Sequence, residues 1–145
     1  MKAASIWSVV CWTAIAVVVA LLLAGFWFIY RGVQVPLEAE ITHHAYCQVL
    51  EALDAYVREN SGQWPPSWEE LSKFSLQHDP SGWDRLGGFA EVRRRVQVRF
   101  DVTADEVAAL DSEDFSAAKP VRPHYGEDLG RIERLKETCR LNGVR

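Results

Sequence analysis

The chain lacks the short motifs that mark a known chemistry. Its three cysteines and four histidines form neither the Cys-x-x-Cys nor the His-Glu-x-x-His spacing of common zinc sites. The Gly-x-Ser-x-Gly turn of α/β hydrolases and the glycine-rich phosphate loop are also missing. We therefore predict no catalytic residue, no metal ligand and no cofactor, and we expect neither enzymatic activity nor a small-molecule substrate.

Charge is missing from residues 3–30, a run bounded by one basic residue on each side. A bilayer core about 30 Å thick is crossed by about 20 apolar helical residues, so this run is long enough to span it. Trp27 and Tyr30 near its end suit a membrane–water interface, where aromatic side chains are enriched. The sequence therefore predicts a transmembrane helix at about residues 6–30.

A cleaved signal peptide is the main alternative to a permanent anchor. The apolar stretch of a signal peptide is about 7–15 residues long, and a small-residue cleavage site follows it. Here the apolar run is longer and ends in bulky side chains from Phe26 to Tyr30. We expect an uncleaved signal-anchor, with residues 1–31 as the membrane anchor and 32–37 as a linker.

The charges that flank the run bear on its orientation, because positive flanks tend to stay in the cytoplasm. Lys2 and the amino terminus precede the run, Arg31 follows it, and the acidic residues Glu38 and Glu40 come next. This distribution favours a single-pass protein with a cytoplasmic N-terminus and an extracytoplasmic C-terminal domain.

Residues 38–145 are long enough for one small domain. From Arg31 onward the chain carries all 20 acidic residues and 15 of the 16 basic ones, a net charge of −5. We expect no nucleic-acid partner, because a net negative domain repels the phosphate backbone. The basic cluster from Arg93 to Arg95 is interpreted as a solvated entry to a strand.

Hydrophobic periodicity predicts a mainly helical domain. Apolar residues three and four positions apart indicate a long helix at 38–60 and a last helix at 127–141. Capping-box patterns, in which a Ser or Thr precedes a Glu by three positions, indicate two shorter helices at 67–75 and 103–110.

Strand signal is scarce. Alternating apolar and polar residues at 92–102 predict one strand, and a lone strand needs a partner, for which 84–92 and 117–124 are the candidates. Proline and glycine indicate a loop at 77–91 and an extended or looped segment at 115–125. We predict an α+β fold with an N-terminal transmembrane helix, a long first helix of the small domain, a short sheet and a C-terminal helix.

Two of the cysteines admit a disulfide. Cys47 lies in the predicted long helix and Cys139 in the last one, each on the apolar side. In an extracytoplasmic domain a bond between them would close a loop of more than 90 residues and stabilise the fold by about 3–5 kcal/mol. Two unrelated buried thiols are the alternative. His43 shares a helix face with Cys47, but two ligands do not make a zinc site.

Three aromatic residues are expected to pack where the long helix turns into the next one. Pro65 and Pro66 force an extended approach to the short helix, so Trp64 and Trp68 can point back toward Tyr56. We predict a structural aromatic corner made of Tyr56, Trp64 and Trp68. A carbohydrate platform built from the two tryptophans is the alternative.

The same region resembles the start of the globular part in type II secretion pseudopilins and related type IV pilin-like proteins. The resemblance covers about residues 50–71 and consists of Leu53-x-x-Tyr56, Gly62-x-Trp64-Pro65 and Trp68-x-x-Leu71. It implies an N-terminal membrane helix that continues into the domain.

Such proteins also carry a prepilin processing motif, a basic leader ending in Gly, then Phe, with Glu as the fifth residue of the mature helix. Here Gly25-Phe26 stands at the C-terminal end of the apolar run, with neither that Glu nor a leader before the run. The resemblance thus implies a pilin-like scaffold retained as a plain membrane protein.

These observations lead to one functional expectation and two alternatives. We expect a single-pass membrane-anchored domain with a non-enzymatic, protein-interaction or envelope-scaffold role. Its partners would be the lipid bilayer and another membrane or envelope protein. The alternatives are a pseudopilin-like subunit of a secretion or envelope assembly, and a small envelope enzyme or metal-binding protein.

Overall fold

A computed structural model describes residues 3–122, 124–126 and 128–143. Lys2, which entered the orientation argument, and residue 127, the expected start of the last helix, lie outside these ranges. The described chain is mostly helical, with a long N-terminal apolar helix, a two-stranded sheet and a C-terminal helix, so the coarse α+β layout is confirmed. It divides into two compact units, the anchor unit up to Leu37 and the C-terminal domain from Glu38 onward.

The first helix, α1, spans Ala3–Glu59. Residues 32–37, expected to form a linker, are helical, and Pro36 lies inside the helix although a proline nitrogen cannot donate a helical hydrogen bond. The predicted end of the helix is correct to within one residue. Gly62, at a φ of 82°, donates its N–H to the carbonyl of Val57 and turns the chain away.

The anchor unit carries exposed apolar side chains. From Cys11 to Leu37 every side chain is exposed, and the part of α1 that starts at Cys11 is long and apolar enough to cross a membrane. Its most apolar 18-residue window has a mean hydropathy of 2.4. Arg31 lies 5.0 Å above the Trp27 ring, a cation–π contact. The structure therefore contains one candidate membrane span among the described residues.

The C-terminal domain is built on the second part of α1. Burial alternates along the helix every three or four residues, as expected when one face meets a core. The last helix, α6 (Leu129–Gly143), runs beside it in the same direction. Arg131 of α6 donates to Glu51 at 2.8 Å, and further along both helices Thr138 donates to Asp54.

Four shorter helices and two strands complete the described part of the domain. They are α2 (Trp68–His78), α3 (Pro80–Arg85), α4 (Phe89–Arg95), β1 (Val96–Val98), α5 (Ala104–Ala109) and β2 (Ala118–Pro120). The strands pair antiparallel, with Val96 opposite Pro120 and Val98 opposite Ala118. Of the two candidate partners for the strand, 117–124 is thus correct.

The predicted loop at 77–91 is wrong, because α3 and α4 both lie in this region. Asp79 caps α3 by accepting a hydrogen bond from the Gly82 N–H, and Pro80 occupies the first helical turn, where its missing N–H costs nothing. Gly87 and Gly88 have φ near 86° and reverse the chain into α4. The glycines and the proline mark turns between helices rather than one long loop.

The predicted strand at 92–102 is also wrong over most of its length. The three arginines Arg93 to Arg95 belong to the last turn of α4, and only Val96–Val98 is extended in the ladder. Val92 and Val96 are both fully buried and four residues apart, which suits a helix as well as an alternating strand.

The two predicted capping boxes differ in outcome. Thr103 and Glu106 form the complete box at the start of α5, with a bond in each direction. Ser67 caps α2 by accepting from the Glu70 N–H, but the Glu70 carboxylate pairs with Lys73 at 2.7 Å instead of reaching back. That second box is therefore half formed.

Candidate functional site

Cys47 lies in a polar cluster between α1 and the start of α6. We define the thiol cluster as His43, Cys47, Glu51, Asp128 and Arg131. The Cys47 Sγ lies 3.6 Å from the His43 Nε2, one helical turn earlier, and 3.9 Å from the Asp128 carboxylate. Arg131 donates to both Asp128 and Glu51, which joins the two helices.

The electrostatics of the thiol cluster keep the thiol protonated. Burial raises the pKa of the Cys47 thiol, and the neighbouring carboxylates add to the shift. Burial alone would raise the pKa of Asp128 as well, but hydrogen bonds from the Arg131 backbone N–H and guanidinium hold it below its ordinary value. A protonated thiol beside an ionised carboxylate is a poor nucleophile.

Cys139, the other cysteine of the predicted disulfide, lies elsewhere in the domain. Both thiols are free in the structure. The helices α1 and α6 run in the same direction. Cys47 lies beside Asp128, the residue just before α6, whereas Cys139 follows Thr138, whose hydroxyl donates to Asp54 further along α1. Seven residues of helix separate Cys47 from Asp54, a rise of about 10 Å, beyond the reach of about 7 Å between Cα atoms in a disulfide. The helices pack as expected, but the structure does not bring the thiols together.

The environment of Cys139 is apolar. Its side chain is fully buried, and burial raises the pKa of its thiol to about 12, with Asp54 adding to the shift. In the structure, Cys47 and Cys139 are thus both buried and free, and the disulfide is left to the alkylation experiment described below.

A second polar cluster centres on Arg95, which sequence reasoning treated as solvated. The Arg95 side chain is 7% exposed and donates to Glu91, Glu38 and Thr42 at 2.9–3.2 Å. Glu38 also accepts from Arg122 at 3.2 Å. The hydrogen bond and charge of Arg95, followed by those of Arg122, lower the pKa of Glu38. No pattern in the sequence distinguishes Arg95 from its two neighbours, because burial depends on which face of α4 meets α1.

Two of the three predicted corner residues lie in the core. Trp64 and Trp68 are each 8% exposed. The indole Nε1–H of Trp64 donates to the carbonyl of Arg99 at 2.8 Å, and the Trp68 ring meets Phe89 and Phe100 edge-on at centroid distances of 5.3 and 5.5 Å. Both rings are buried and the polar edge of Trp64 is hydrogen-bonded, which is typical of structural tryptophans rather than of an exposed carbohydrate platform.

Tyr56 packs at the edge of the same core. It is half-buried, and its ring meets Phe74 edge-on at 5.2 Å, while the His78 ring stacks on Phe74 at 4.1 Å. Burial raises the pKa of the Tyr56 hydroxyl, with the charge of Glu70 adding to the shift.

Among the described residues of the C-terminal domain, two open depressions stand out. One, of about 400 Å³, is formed by the chain after α1, the start of α5 and the end of α6. The other, of about 120 Å³, lies between α1, α2 and α3 and is lined in part by Trp83. The indole Nε1–H of Trp83 is buried and has no hydrogen-bond partner among the described residues.

The chemistry available to these groups is limited by their own pairing. Within the described ranges, no group of three or more His, Cys, Asp or Glu side chains has the geometry to hold a metal ion. The carboxylates of both polar clusters accept from arginines, and the two thiols are buried and protonated. These side chains hold α1, α4 and α6 together.

Comparison with known proteins adds no family to this picture. No protein-family model, no curated protein and no solved structure matches the chain.

Proposed function

We propose that this chain is a single-pass membrane protein in which one helix serves both as the anchor and as the first core element of a small domain. The observation that carries the proposal is the division of α1. Its side chains from Cys11 to Leu37 are exposed and mainly apolar, whereas those from Ala39 to Val57 alternate between buried and exposed. Exposed apolar surface of this extent is stable in lipid and costly in water.

The anchor is tested by extraction and by mass. The protein should remain in the membrane pellet after alkaline carbonate treatment, because a spanning helix is not released by charge or pH. Intact-mass measurement should find residues 1–31 present. A mature mass lower by about 3 kDa, the weight of a span of this length, would show a cleaved signal peptide and contradict the proposal.

We further propose a cytoplasmic N-terminus and an extracytoplasmic domain. The basic residue and amino group before the run, and the acidic residues after it, support this orientation. Protease added to intact cells should remove the domain of a correctly inserted chain. Protection in intact cells, with loss only after lysis, would reverse the assignment.

The domain itself is proposed to act by contact with another membrane or envelope protein. In support, its buried polar groups are engaged in joining helices, as in the pairing of Arg95 with Glu38 and Glu91. A photo-crosslinking residue at Leu76 or Leu141, both exposed apolar positions, should give a discrete product that contains one other envelope protein. Unlinked protein at every exposed position of the domain would contradict a contact role.

A pseudopilin-like subunit is the second candidate. The observation that favours it is the unbroken course of α1 from the apolar run into the domain, followed by the turn at Gly62 and the buried Trp64. This is the layout implied by the resemblance at residues 50–71. A subunit of this kind would form polymers in membranes when overproduced, whereas a plain membrane protein would stay monomeric or form small closed complexes.

A further inference from the structure

The larger depression on the C-terminal domain has an apolar floor and a polar rim. We define the end cleft as this depression, with a floor made by Trp64, Val102 and Ala104 and a rim made by Gln63, Asp105 and Asn142. It lies where α1 and α6 end and α5 begins. Its volume of about 400 Å³ falls within the usual range of ligand pockets, about 300–1,000 Å³.

Asp105 gives the end cleft its charge. Among the described residues, it is the one charged side chain that lines the cleft, and within those ranges no hydrogen bond or ion pair engages its exposed carboxylate. Asp105 is not needed as a cap either, because Thr103 and Glu106 already form a complete capping box on α5. Its carboxylate is therefore available to a cation from outside the domain.

The chain around α5 adds to the negative charge near the cleft. From Asp101 to Asp114 it carries six acidic residues and no basic one. Two of these carboxylates pair with basic side chains, Asp101 with Arg99 and Asp114 with Lys119. The remaining four leave a net negative field, which attracts cations and repels anions.

The rim offers three oxygen acceptors from separate parts of the chain. Asn142 donates its side-chain N–H to the carbonyl of Thr138 at 2.8 Å, which leaves its side-chain oxygen as an acceptor. The exposed amide of Gln63 and the carboxylate of Asp105 supply the other two. A lysine ammonium has three N–H donors and no acceptor, whereas the planar arginine fork suits a bidentate pair with one carboxylate. The methylenes of a lysine can lie on the apolar floor.

An exposed apolar side chain lies one residue from the rim. Leu141 precedes Asn142 in α6 and is 67% exposed. A protein that places a side chain in the end cleft would also cover Leu141, as the apolar centre of an interface does. A free amine in solution would leave it in water.

We propose that the end cleft binds a lysine side chain of the protein partner, with the ammonium on Asp105 and the methylenes against Trp64 and Val102. This inference rests on the proposed contact role of the domain. The contact should weaken as salt rises, because an exposed ion pair is screened.

The first experiment measures lysine binding without the partner. The isotope-labelled full chain in detergent micelles is titrated by NMR with a blocked lysine, acetylated at its amino end and amidated at its carboxyl end. We expect saturable shifts of the Trp64 indole and of the Gln63 and Asn142 side-chain amides, with weak affinity because one side chain offers little contact area. Asp105→Asn should weaken binding about tenfold, since it removes a charge-assisted hydrogen bond. Asp84→Asn, the matched control, removes an exposed carboxylate on α3 and should leave the affinity unchanged.

Two other compounds test the chemistry of the cleft. Blocked norleucine has the methylenes without the ammonium, and N-acetylglucosamine is a neutral sugar. Binding of either compound as tight as that of the blocked lysine would overturn the inference, as would equal affinity in Asp105→Asn and the parent. Gln63→Ala covers the case in which Asp105→Asn disturbs α5, because Gln63 is exposed and lies outside α5. It should weaken lysine binding severalfold, and unchanged affinity would also overturn the inference.

The second experiment separates the cleft from the contact role in cells. The yield of the photo-crosslinked product at Leu141 should fall severalfold with Asp105→Asn and stay constant with Asp84→Asn. A product that Asp105→Asn does not affect would overturn the inference and leave the contact role standing. No product at any exposed position would instead refute the contact role, and the inference would fall with it.

Discussion

Trp64 offers the sharpest test of the domain core. Its side chain is 92% buried, since 8% is exposed, and its indole N–H bonds the carbonyl of Arg99. A buried tryptophan removes about 150–250 Å² from water, and truncation of such a residue to alanine costs about 3–5 kcal/mol. We therefore expect Trp64→Ala to lower the free energy of unfolding of the domain by that amount.

The two parts of this loss can be separated with Trp64→Phe. Phenylalanine keeps an apolar ring but cannot donate to Arg99, and a neutral hydrogen bond contributes about 1 kcal/mol, so the expected loss is about 1–2 kcal/mol. Trp12→Ala is the matched control. Trp12 is 70% exposed on the apolar run, outside the domain core, and its loss should leave domain unfolding unchanged.

The measurement is pulse proteolysis of the full chain in mild detergent across a urea series, which reports the folded fraction of the domain. With a urea dependence of about 1–3 kcal/mol/M, Trp64→Ala should lower the midpoint by about 2 M. If Trp64→Ala unfolds at the same urea concentration as the parent, the side chain is not in the core. The placement of the corner would then be wrong, and a ligand platform would become the better interpretation.

Three further predictions concern the thiols, one histidine and one helix cap. After denaturing alkylation under non-reducing conditions, the intact mass should show three adducts, whereas a single adduct, on Cys11, would reveal a disulfide. Native alkylation of Cys47 and Cys139 should be slow, because burial raises the pKa of both thiols. The His78 ring nitrogens face the Phe74 carbonyl and the Glu59 carboxylate, both at 2.8 Å, which raises the pKa of His78. Its contribution to stability is full below the pKa of the unfolded chain and is lost as pH rises through the higher folded pKa. In an NMR titration Glu59→Gln should lower that pKa, and an unchanged value would refute the pairing. Thr103→Ala should lower the free energy of unfolding of the domain by about 1 kcal/mol, because it removes the cap of α5, whereas Thr103→Ser should lower it little. The urea assay measures both variants, and an equal loss in the two would argue against capping.

Local sequence patterns determined the elements whose signals do not depend on the rest of the chain. The apolar run predicts the exposed part of α1, because a helix of 28 uncharged residues has no charged face to turn toward water. Thr103 predicts the start of α5, because a cap and its helix are neighbours in sequence. For the partner of the strand the sequence left two candidates, 84–92 and 117–124, and only the fold selected the second. The apolar run and the helix cap each rest on residues that are contiguous or within one turn of each other in the sequence.

Tertiary packing decided the features for which the sequence admits two answers. The spacing of Val92 and Val96 fits a helix or a strand, and packing of α4 selected the helix for the arginines between them. The same packing buried Arg95 and left Arg93 and Arg94 in solvent.

The cysteines show the same limit at longer range. Cys47 and Cys139 each lie on the buried face of a helix, as the sequence indicated. Whether they meet depends on the relative direction of α1 and α6. Periodicity reports which face of a helix is buried, but not which turn of a distant helix it will contact. That choice is made when the whole core packs, and here it places the thiols two turns apart.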